Sequence, residues 1–339
     1  MIKAIKNLII TALTGGIIIG GIGFVPSQSA GYDYTVGIVQ LVRHAALDQA
    51  TQGFKDRLTE LVEDAGRTIK IDYQDAQNDT VNCSVIADNF TAKQYDLIMA
   101  NATTALQACY NATDDIPVLG TSVTVYDVAL KLDNYVPENG TGTNVSGTSD
   151  LAPLKEQARM LHELVPDARN IGLMYCSSET NSKYQIEEVI KAFGELGEEY
   201  GIKYNCTTYS FSDSNDIQSV VEKMAAESDA VYLPTDNTVA SNAQLIDNIC
   251  SPKGIPIVTG DEGTCTGCGI AVPGIDYYRL GEITAEIAAE ILNFSSKPVL
   301  LRPLQGENLM ADEESLFSEE ETLSHIYTIL KNASGIDFT

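Results

Sequence analysis

The chain has 339 residues and carries 21 basic against 47 acidic side chains, which gives a formal net charge of −26 at pH 7. A charge of this sign excludes nucleic acid as an expected partner, because nucleic-acid affinity comes largely from Lys and Arg contacts with phosphates. Seven cysteines form an odd set, so at least one is expected to be unpaired within the chain.

The first thirty residues predict a secretory signal peptide. Lys3 and Lys6 precede an apolar, glycine-rich stretch over Leu8–Val25, and cleavage is expected near Ser29 or Ala30. The alternative is an uncleaved membrane anchor, since the apolar stretch approaches the length of a spanning helix. No cysteine lies near the junction, so a lipid anchor is not expected and the mature protein is predicted to be periplasmic or secreted.

From Tyr34 onward, short β-branched runs alternate with amphipathic stretches, which is typical of consecutive βα units. The predicted elements of the first half, in chain order, are strand Tyr34–Val42, helix Ala46–Glu63, strand Ile69–Tyr73, helix Val81–Phe90, strand Asp96–Ala100, helix Thr104–Tyr110 and strand Ile116–Gly120. A polar segment rich in glycine and threonine, Pro137–Asp150, then interrupts the alternation.

After this segment the alternation begins again. The predicted elements are helix Pro153–Leu164, strand Asn170–Tyr175, helix Ser182–Tyr200, strand Ile202–Tyr209, helix Ser214–Glu227, strand Ala230–Leu233, helix Val239–Ile249, strand Ile255–Val258, strand Gly269–Pro273, helix Tyr277–Leu292 and, in the tail, helix Glu319–Leu330. The stretch Asp96–Thr121 has the same order of strand, threonine-bearing turn, helix ending in cysteine and strand as the stretch Asp229–Gly260.

Two repeated halves of ordinary domain size predict an α/β protein with two doubly wound parallel-sheet lobes joined by a hinge. The N-terminal lobe is expected to comprise residues 31–148 and about 275–297, and the C-terminal lobe residues 149–274 and about 298–339. The chain is expected to cross between the lobes near residues 145–151 and 270–276, because several crossings make a hinge that bends without unravelling either sheet.

Polar side chains at the carboxyl ends of the predicted strands are candidate ligand-binding residues, because parallel sheets bind ligands at those ends, where helices begin. They are Gln40, His44, Thr103, Thr104, Thr121, Ser122 and Thr124 in the first half, and Ser177, Ser178, Asn181, Ser182, Thr235, Asp236, Asn237, Asp261, Glu262 and Asp276 in the second. Hydroxyls in the first half suit a carboxylate and acids in the second suit an ammonium, so the set favours a zwitterion. Any one of these residues could instead be a helix cap.

Asp236, which follows strand Ala230–Leu233, is the first choice for the ligand's ammonium group, with Asp261 or Glu262 as the alternatives. An Asn at position 236 would distinguish a cap from an ion-pair partner, since Asn caps helices about as well as Asp. We expect the unliganded melting temperature to stay close to that of the parent and the affinity to fall about tenfold or more.

Two motifs could indicate an enzyme or a redox site. Arg43-His44 follows a strand as in histidine phosphatases, but Ala45 stands where that motif has glycine, and neither His162 nor His325 has a suitable flanking motif. Cys265-Thr-Gly-Cys268 follows a strand instead of opening a helix, and no second CxxC or His pair accompanies it. No catalytic residue, metal or cofactor is therefore expected.

Six motifs occur in order between about Tyr34 and Leu292. They are His44-Ala-Ala-Leu-Asp48 with Gly53-Phe54, Asn144-Val-Ser-Gly-Thr-Ser-Asp150, Ser177-Ser-Glu-Thr-Asn-Ser182, Pro234-Thr-Asp-Asn-Thr-Val239, Gly260-Asp-Glu-Gly263 and Gly274-Ile-Asp-Tyr-Tyr278. Together they resemble the ABC-transporter substrate-binding proteins of the tryptophan- and tyrosine-uptake type, which have a type I periplasmic-binding fold. The chain departs from this family at Ala45, where proline is usual, and at the Cys265–Cys268 insertion.

The resemblance implies that an aromatic amino acid or related small zwitterion binds between the lobes and that a membrane permease and its ATPase recognise the closed form. Tyr126, Tyr175 and Tyr277 are the candidates for contacting the ligand's ring. The alternative with the same fold is the ligand-binding module of a sensory receptor. A neighbouring permease and ATPase gene would favour transport, whereas a neighbouring kinase gene would favour sensing.

Overall fold

The structure is a computed structural model that describes residues 31–136, 140–272 and 275–292. All described residues from Tyr32 onward belong to one compact unit. The predicted signal peptide and the predicted tail helix Glu319–Leu330 lie outside the described residues. Among the helices of the described ranges, none is long and apolar enough to cross a membrane.

The first lobe is built on a five-stranded sheet whose neighbouring strands all run parallel, in the order β2-β1-β3-β4-β5. Its elements are β1 (Tyr34–Gln40), α1 (Ala45–Asp64), β2 (Ile69–Asp75), α2 (Thr80–Ala92), β3 (Leu97–Asn101), α3 (Thr103–Ala112), β4 (Val118–Val123), α4 (Tyr126–Leu130) and β5 (Val145–Ser149). In register, Tyr34 of β1 lies opposite Ile69 of β2, and Val36 lies opposite Leu97 of β3.

The second lobe repeats this arrangement with a four-stranded parallel sheet in the order β7-β6-β8-β9. Its elements are α5 (Leu154–Leu164), β6 (Asn170–Cys176), α6 (Thr180–Tyr200), β7 (Asn205–Phe211), α7 (Ile217–Glu227), β8 (Ala230–Leu233), α8 (Asn237–Ser241), α9 (Ala243–Cys250), a 3₁₀ turn (Ser251–Lys253), β9 (Ile257–Thr259) and α10 (Glu262–Cys268). The α/β class with two doubly wound parallel sheets is confirmed.

Burial explains why the sequence forms these sheets. The central strands β3, β4 and β8 are buried along their whole length, and their near-continuous apolar runs are typical of parallel strands covered on both faces. The edge strands β2 and β7 are partly exposed and more polar. Each sheet therefore has one hydrophobic cluster on each face, which buries the helices of that lobe against it.

The last described helix, α11 (Tyr277–Ile291), follows the second lobe in sequence but packs along α1 of the first lobe. Two glycines permit this close contact. A Cβ at Gly53 would collide with the backbone of Tyr278, and a Cβ at Gly281 with the backbone of Ala50. The chain thus crosses between the lobes before α5 and again before α11, close to the predicted crossings; the exact lobe boundaries stay a prediction.

Four local predictions were wrong. The predicted helix over residues 239–249 is two helices, because Asn242 leaves the helical conformation and bonds back through Nδ2 to the carbonyl oxygen of Thr238 at 2.8 Å. The predicted strand at residues 269–273 is only an isolated bridge between Ala271 and Val258. The polar segment 137–150 contains the buried strand β5, which was not predicted because its threonine and serine side chains are typical of loops. Cys265 and Cys268 lie inside a helix, α10.

Candidate functional site

The two lobes contact each other at the carboxyl ends of their strands, where the sequence places the site. Nε2 of His44, which follows β1, lies 3.2 Å from Oδ1 of Asn237, the first residue of α8. Asn78, in the loop after β2, donates from Nδ2 to Oγ1 of Thr238 at 3.1 Å. Because β1 and β8 lie at the points where the strand order of each sheet reverses, this contact marks the crevice in which such folds bind ligands.

Gln40, at the end of β1, makes only internal side-chain contacts. Its Nε2 donates to Oδ1 of Asp48 at 2.7 Å and to the carbonyl oxygen of Val42 at 2.9 Å. Its Oε1 accepts from Oγ1 of Thr51 at 2.6 Å. Gln40 is fully buried, and these bonds fix the loop that carries His44.

Ser122, near the end of β4, has an unusual backbone and an unpaired side chain. The pairing of β4 with β5 shifts register between Gly120 and Val123, and Ser122 has a positive φ of 55°. Its Oγ is buried with no hydrogen-bond partner in the described part of the chain. Thr103 and Thr104, the first residues of α3, are buried and half-buried respectively.

Ser177 and Ser178 are exposed and bind neighbouring backbone instead of the cleft. Oγ of Ser177 donates to the carbonyl oxygen of Phe211 at 3.0 Å, and Oγ of Ser178 donates to that of Ser212 at 3.4 Å. These two serines tie the end of β6 to the end of β7. The structure therefore does not bring them together with the other candidate residues.

Asn181, near the start of α6, is buried and points to the end of β8. Its Nδ2 donates to the carbonyl oxygen of Thr235 at 2.9 Å, while its Oδ1 is buried without a partner among the described residues. Thr235 is half-buried, and its side chain comes close to the hydroxyl of Tyr277. Asn181 and Thr235 thus form one wall of the crevice.

Asp236 and Asp261 are buried N-caps, of α8 and α10 respectively. Oδ1 of Asp236 accepts from the backbone N–H of Val239 at 2.8 Å, and Oδ2 accepts from that of Cys176 at 2.7 Å. Asp261 accepts on its two oxygens from the backbone N–H and the hydroxyl of Thr264, at 2.8 and 2.7 Å. Both carboxylates therefore have protein donors on each oxygen.

Glu262 and Asp276, the remaining acidic candidates, are exposed. Asp276 caps α11 by accepting from the backbone N–H of Arg279 at 3.0 Å. Glu262 is the first residue of α10 and does not join the buried carboxylates of the site. An exposed acid in water gains little from pairing with an ammonium, so neither residue has the environment of a strong ligand contact.

Glu179 was not among the candidate residues, although it lies within the motif at residues 177–182. It is 4% exposed and accepts four hydrogen bonds, two from Asn237 and two from Thr238. Burial, followed by the charge of Glu179, raises the pKa of Asp236 well above its usual value. Nothing in the local sequence around Glu179 indicates this role, because its partners, Asn237 and Thr238, lie at the start of α8, far away in the chain.

Asp150, at the first crossing between the lobes, is a second residue that the candidate set missed. Oδ1 accepts from Oγ1 of Thr124 at 3.0 Å, and Oδ2 accepts from the hydroxyl of Tyr277 at 2.9 Å. Burial raises the pKa of Asp150 to about 6, with a further increase from the carboxylate of Asp261. Asp150 thus accepts from two hydroxyls, whereas Asp236 and Asp261 each accept from at least one backbone N–H.

The buried carboxylates leave the crevice with uncompensated negative charge. Asp150, Glu179, Asp236 and Asp261 are each at most 4% exposed. No ion pair within the described ranges includes any of them. Because buried charges are normally paired, a cationic group of a ligand is the complement that this region suits.

The three tyrosines expected to contact a ring differ in position. Tyr126 is buried in the first lobe, where its hydroxyl donates to the carbonyl oxygens of Gly120 and Thr148, both at 3.0 Å. Tyr175 packs against the core cluster of the second lobe. Tyr277, through Asp150, is the one of the three that joins the interlobe groups just described.

His162 and the Cys265–Cys268 motif, which were considered as signs of an enzyme or a redox site, make structural contacts. His162 in α5 bonds through Nδ1 to the hydroxyl of Tyr204 at 2.8 Å and its ring lies 4.4 Å from that of Tyr200, so it does not accompany His44. Cys265 and Cys268 are free and buried, and burial raises the pKa of Cys265 to about 11. Within the described ranges, no group of three or more His, Cys, Asp or Glu residues could hold a metal ion.

Comparison with known proteins identifies the class. The family of ABC transporter substrate binding proteins matches residues 35–299, so the chain belongs to that family. A curated relative, the tyrosine-binding protein of Clostridioides difficile (strain R20291), is 34% identical over 285 residues, covering 83% of this chain and 79% of the relative.

Two solved structures are similar to this chain over most of its length. An ABC domain from Streptococcus pneumonia in complex with L-Trp is 26% identical, with a TM-score of 0.74 over 86% of this chain and 97% of that one. The ligand-free, open structure of a Clostridium difficile substrate-binding protein with adhesive properties is 33% identical, with a TM-score of only 0.59 over 85% of this chain and 97% of that one.

Proposed function

We propose that this chain is the extracytoplasmic receptor of an ABC uptake system and that it closes around an aromatic amino acid. The observation that carries the proposal is the contact between the lobes at the ends of β1 and β8, beside buried polar atoms that have no hydrogen-bond partner among the described residues. A site that closes over unpaired polar atoms is complementary to a polar ligand, because each such atom costs free energy until it is bonded. The tyrosine-binding relative and the L-Trp complex support an aromatic amino acid as that ligand.

Asp150 is the residue that we assign to the ligand's ammonium group. Asp236, the first choice from the sequence, accepts a backbone N–H on each oxygen, and Asp261 is similarly occupied by Thr264. Asp150 also accepts on each oxygen, but its donors are the hydroxyls of Thr124 and Tyr277, which can turn to other acceptors. It also lies where the chain crosses between lobes, so a ligand bonded to it would hold closure.

The unpaired atoms suggest how the rest of the amino-acid group is held. Oγ of Ser122 carries a donor that suits the ligand's carboxylate, and Oδ1 of Asn181 is an acceptor that suits a second ammonium N–H. These atoms belong to opposite lobes, at the ends of β4 and the start of α6. A zwitterion bonded to both would therefore be bound best in the closed form, which is the requirement for ligand-driven closure.

Isothermal titration calorimetry of the mature protein tests this proposal. We expect L-Trp or L-Tyr to bind with micromolar or tighter affinity and to raise the melting temperature, whereas sugars and nucleosides should do neither. Ser122→Ala should weaken binding about tenfold, because it removes a donor from the ligand's carboxylate. Ser177→Ala is the matched control, since Ser177 is exposed and bonded to the backbone of Phe211.

Absence of binding by any amino acid, with tight binding of a sugar or nucleoside, would contradict the proposed ligand class. Equal losses in Ser122→Ala and Ser177→Ala would contradict the location of the site. The partners that follow from the proposal are a membrane permease and its ATPase, and the location is periplasmic or secreted after cleavage near Ser29 or Ala30. Mass spectrometry of the secreted chain checks the cleavage site.

A further inference from the structure

Glu179 determines how two neighbouring side chains present their polar atoms to the first lobe. Its Oε2 accepts from the backbone N and from Nδ2 of Asn237, at 3.0 and 2.7 Å. Its Oε1 accepts from the backbone N and from Oγ1 of Thr238, at 2.9 and 2.7 Å. A buried carboxylate only accepts hydrogen bonds, so all four partners must donate.

This requirement fixes the orientation of the Asn237 amide. Because Nδ2 must donate to Glu179, the other amide atom, Oδ1, is the one that faces His44 across the cleft. An amide oxygen can only accept, so Nε2 of His44 must be the donor in that contact. The carboxylate of Glu179 therefore requires, through Asn237, that Nε2 of His44 carries a proton.

The proton on Nε2 determines what the other ring nitrogen of His44, Nδ1, can bond. A neutral ring with its proton on Nε2 has an acceptor at Nδ1, and Nδ1 of His44 is buried with no hydrogen-bond partner among the described residues. His44 stands at the end of β1, whereas the ammonium partner assigned above, Asp150, lies beyond the end of β5 on the crossing segment. The acceptor is thus available to a donor on a different part of the ligand.

We propose that Nδ1 of His44 accepts a hydrogen bond from a ring N–H or O–H of the bound amino acid, and that Glu179 is the positioning residue for this contact. The inference rests on the proposed function, and it restricts the ligand class to aromatic amino acids that carry a ring donor. Phenylalanine lacks such a donor and would leave Nδ1 buried and unpaired. A site built to bond a ligand donor rejects the analogue that lacks it.

The first test compares ligands on the parent protein. We expect L-Tyr or L-Trp to bind at least tenfold more tightly than L-Phe, and L-Trp at least tenfold more tightly than 1-methyl-L-tryptophan, in which the ring N–H is replaced. Nitrogen-15 NMR of the ring of His44 in the saturated protein should show the proton on Nε2. The chain has three histidines, so the signals are assigned by substituting His162 and His325.

The second test changes the positioning residue. Glu179→Gln introduces an NH₂ group that competes with the four donors, so the Asn237 amide can turn and the His44 tautomer is no longer selected. We expect the ratio of tyrosine to phenylalanine affinity to fall towards one. The matched control is Asn78→Gly, which removes the interlobe bond to Thr238 and tolerates the positive φ of 59° at this position. This variant should lower the affinity for all ligands by the same factor and leave the ratio of tyrosine to phenylalanine affinity unchanged.

The outcomes separate this inference from the proposed function. Tight binding of L-Phe equal to that of L-Tyr and L-Trp, or a proton on Nδ1 in the saturated protein, would overturn the assignment while the receptor function stands. If Glu179→Gln folds and keeps the parent's ratio of tyrosine to phenylalanine affinity, Glu179 is not the positioning residue for this contact. If Glu179→Gln does not fold, Asn237→Ala replaces it, with the same expected loss of ratio. Failure of every aromatic amino acid to bind would overturn the proposed function, and this assignment with it.

Discussion

The buried carboxylates of the second lobe and the one on the crossing segment look alike in burial but differ in their donors. Asp236 accepts a backbone N–H on each oxygen, and Asp261 accepts a backbone N–H on one oxygen and the hydroxyl of Thr264 on the other. Asp150 is bonded by two hydroxyls, from Thr124 and Tyr277. Backbone N–H groups at a helix start stabilise a carboxylate without any ligand, whereas hydroxyls can turn to other acceptors. The kind of donor, and not burial, distinguishes a cap from a ligand contact.

The largest expected effect is on ligand affinity in Asp150→Asn. Removing the carboxylate leaves the ligand's ammonium without its partner in a closed cleft, which costs roughly 2–5 kcal/mol of binding free energy, or about thirtyfold or more in affinity. The unliganded melting temperature should be unchanged or higher, because burial disfavours the ionised form of Asp150. Calorimetry and thermal unfolding measure the two quantities. A large loss of stability with unchanged affinity would make Asp150 a structural residue.

Asp236→Asn should show the reverse pattern. Asn has one acceptor oxygen, so its NH₂ group would face the N–H of either Cys176 or Val239 and leave it unpaired. We expect a loss of about 1–3 kcal/mol in the free energy of unfolding, measured in urea. This differs from the outcome expected from the sequence, which counted only one capping bond. An unchanged melting temperature with tenfold weaker binding would restore the ammonium role to Asp236.

The affinity for the ligand should depend on pH through the carboxyl group of Asp150. The pKa of Asp150 is raised to about 6 by burial, so the unliganded protein holds this proton below pH 6 and the group stabilises the fold as the pH falls from 6 towards 4. The ligand's ammonium favours the ionised form, so binding must release the proton. Affinity should be about tenfold lower at pH 5 than at pH 7.5. In Asp150→Asn this dependence should largely disappear; a dependence that persists would belong to another group.

The smallest expected effect concerns closure itself. A Cβ at Gly263 would lie 3.0 Å from the backbone nitrogen of Ala46 across the cleft, and 3.2 Å from Oδ1 of Asp261. Gly263→Ala should therefore weaken ligand binding a few-fold, because it disfavours the closed form more than the open one. Gly194→Ala, in the interior of α6, is the control, because the added Cβ would meet no atom within 4 Å apart from its chain neighbours and the backbone of its own helix. It should leave affinity unchanged and raise stability by about 0.5–1 kcal/mol.

Much of the fold could be predicted because apolar periodicity reports burial directly. The apolar runs at β1, β3 and β8 predicted strands of parallel sheets, and the similarity of the two halves predicted two such lobes. β5 was missed because its buried residues are mostly serine and threonine, which read as a loop. The break at Asn242 was missed because a side chain bonding to its own backbone competes with the helix without altering the apolar pattern.

The sequence alone determined where the crevice lies, since strand ends in a doubly wound sheet converge whatever residues occupy them. Among its candidate residues, His44 contacts Asn237 and Asn181 contacts Thr235, while their role in binding a ligand stays a prediction. Only the tertiary structure decided which polar groups are already bonded and which remain free for a ligand. Glu179 and Asp150 acquire their proposed roles from partners that lie 58 and 127 residues away in the chain, at Asn237 and Tyr277. Hydrogen-bond saturation is a property of positions brought together by folding, and no local pattern of residue types contains it.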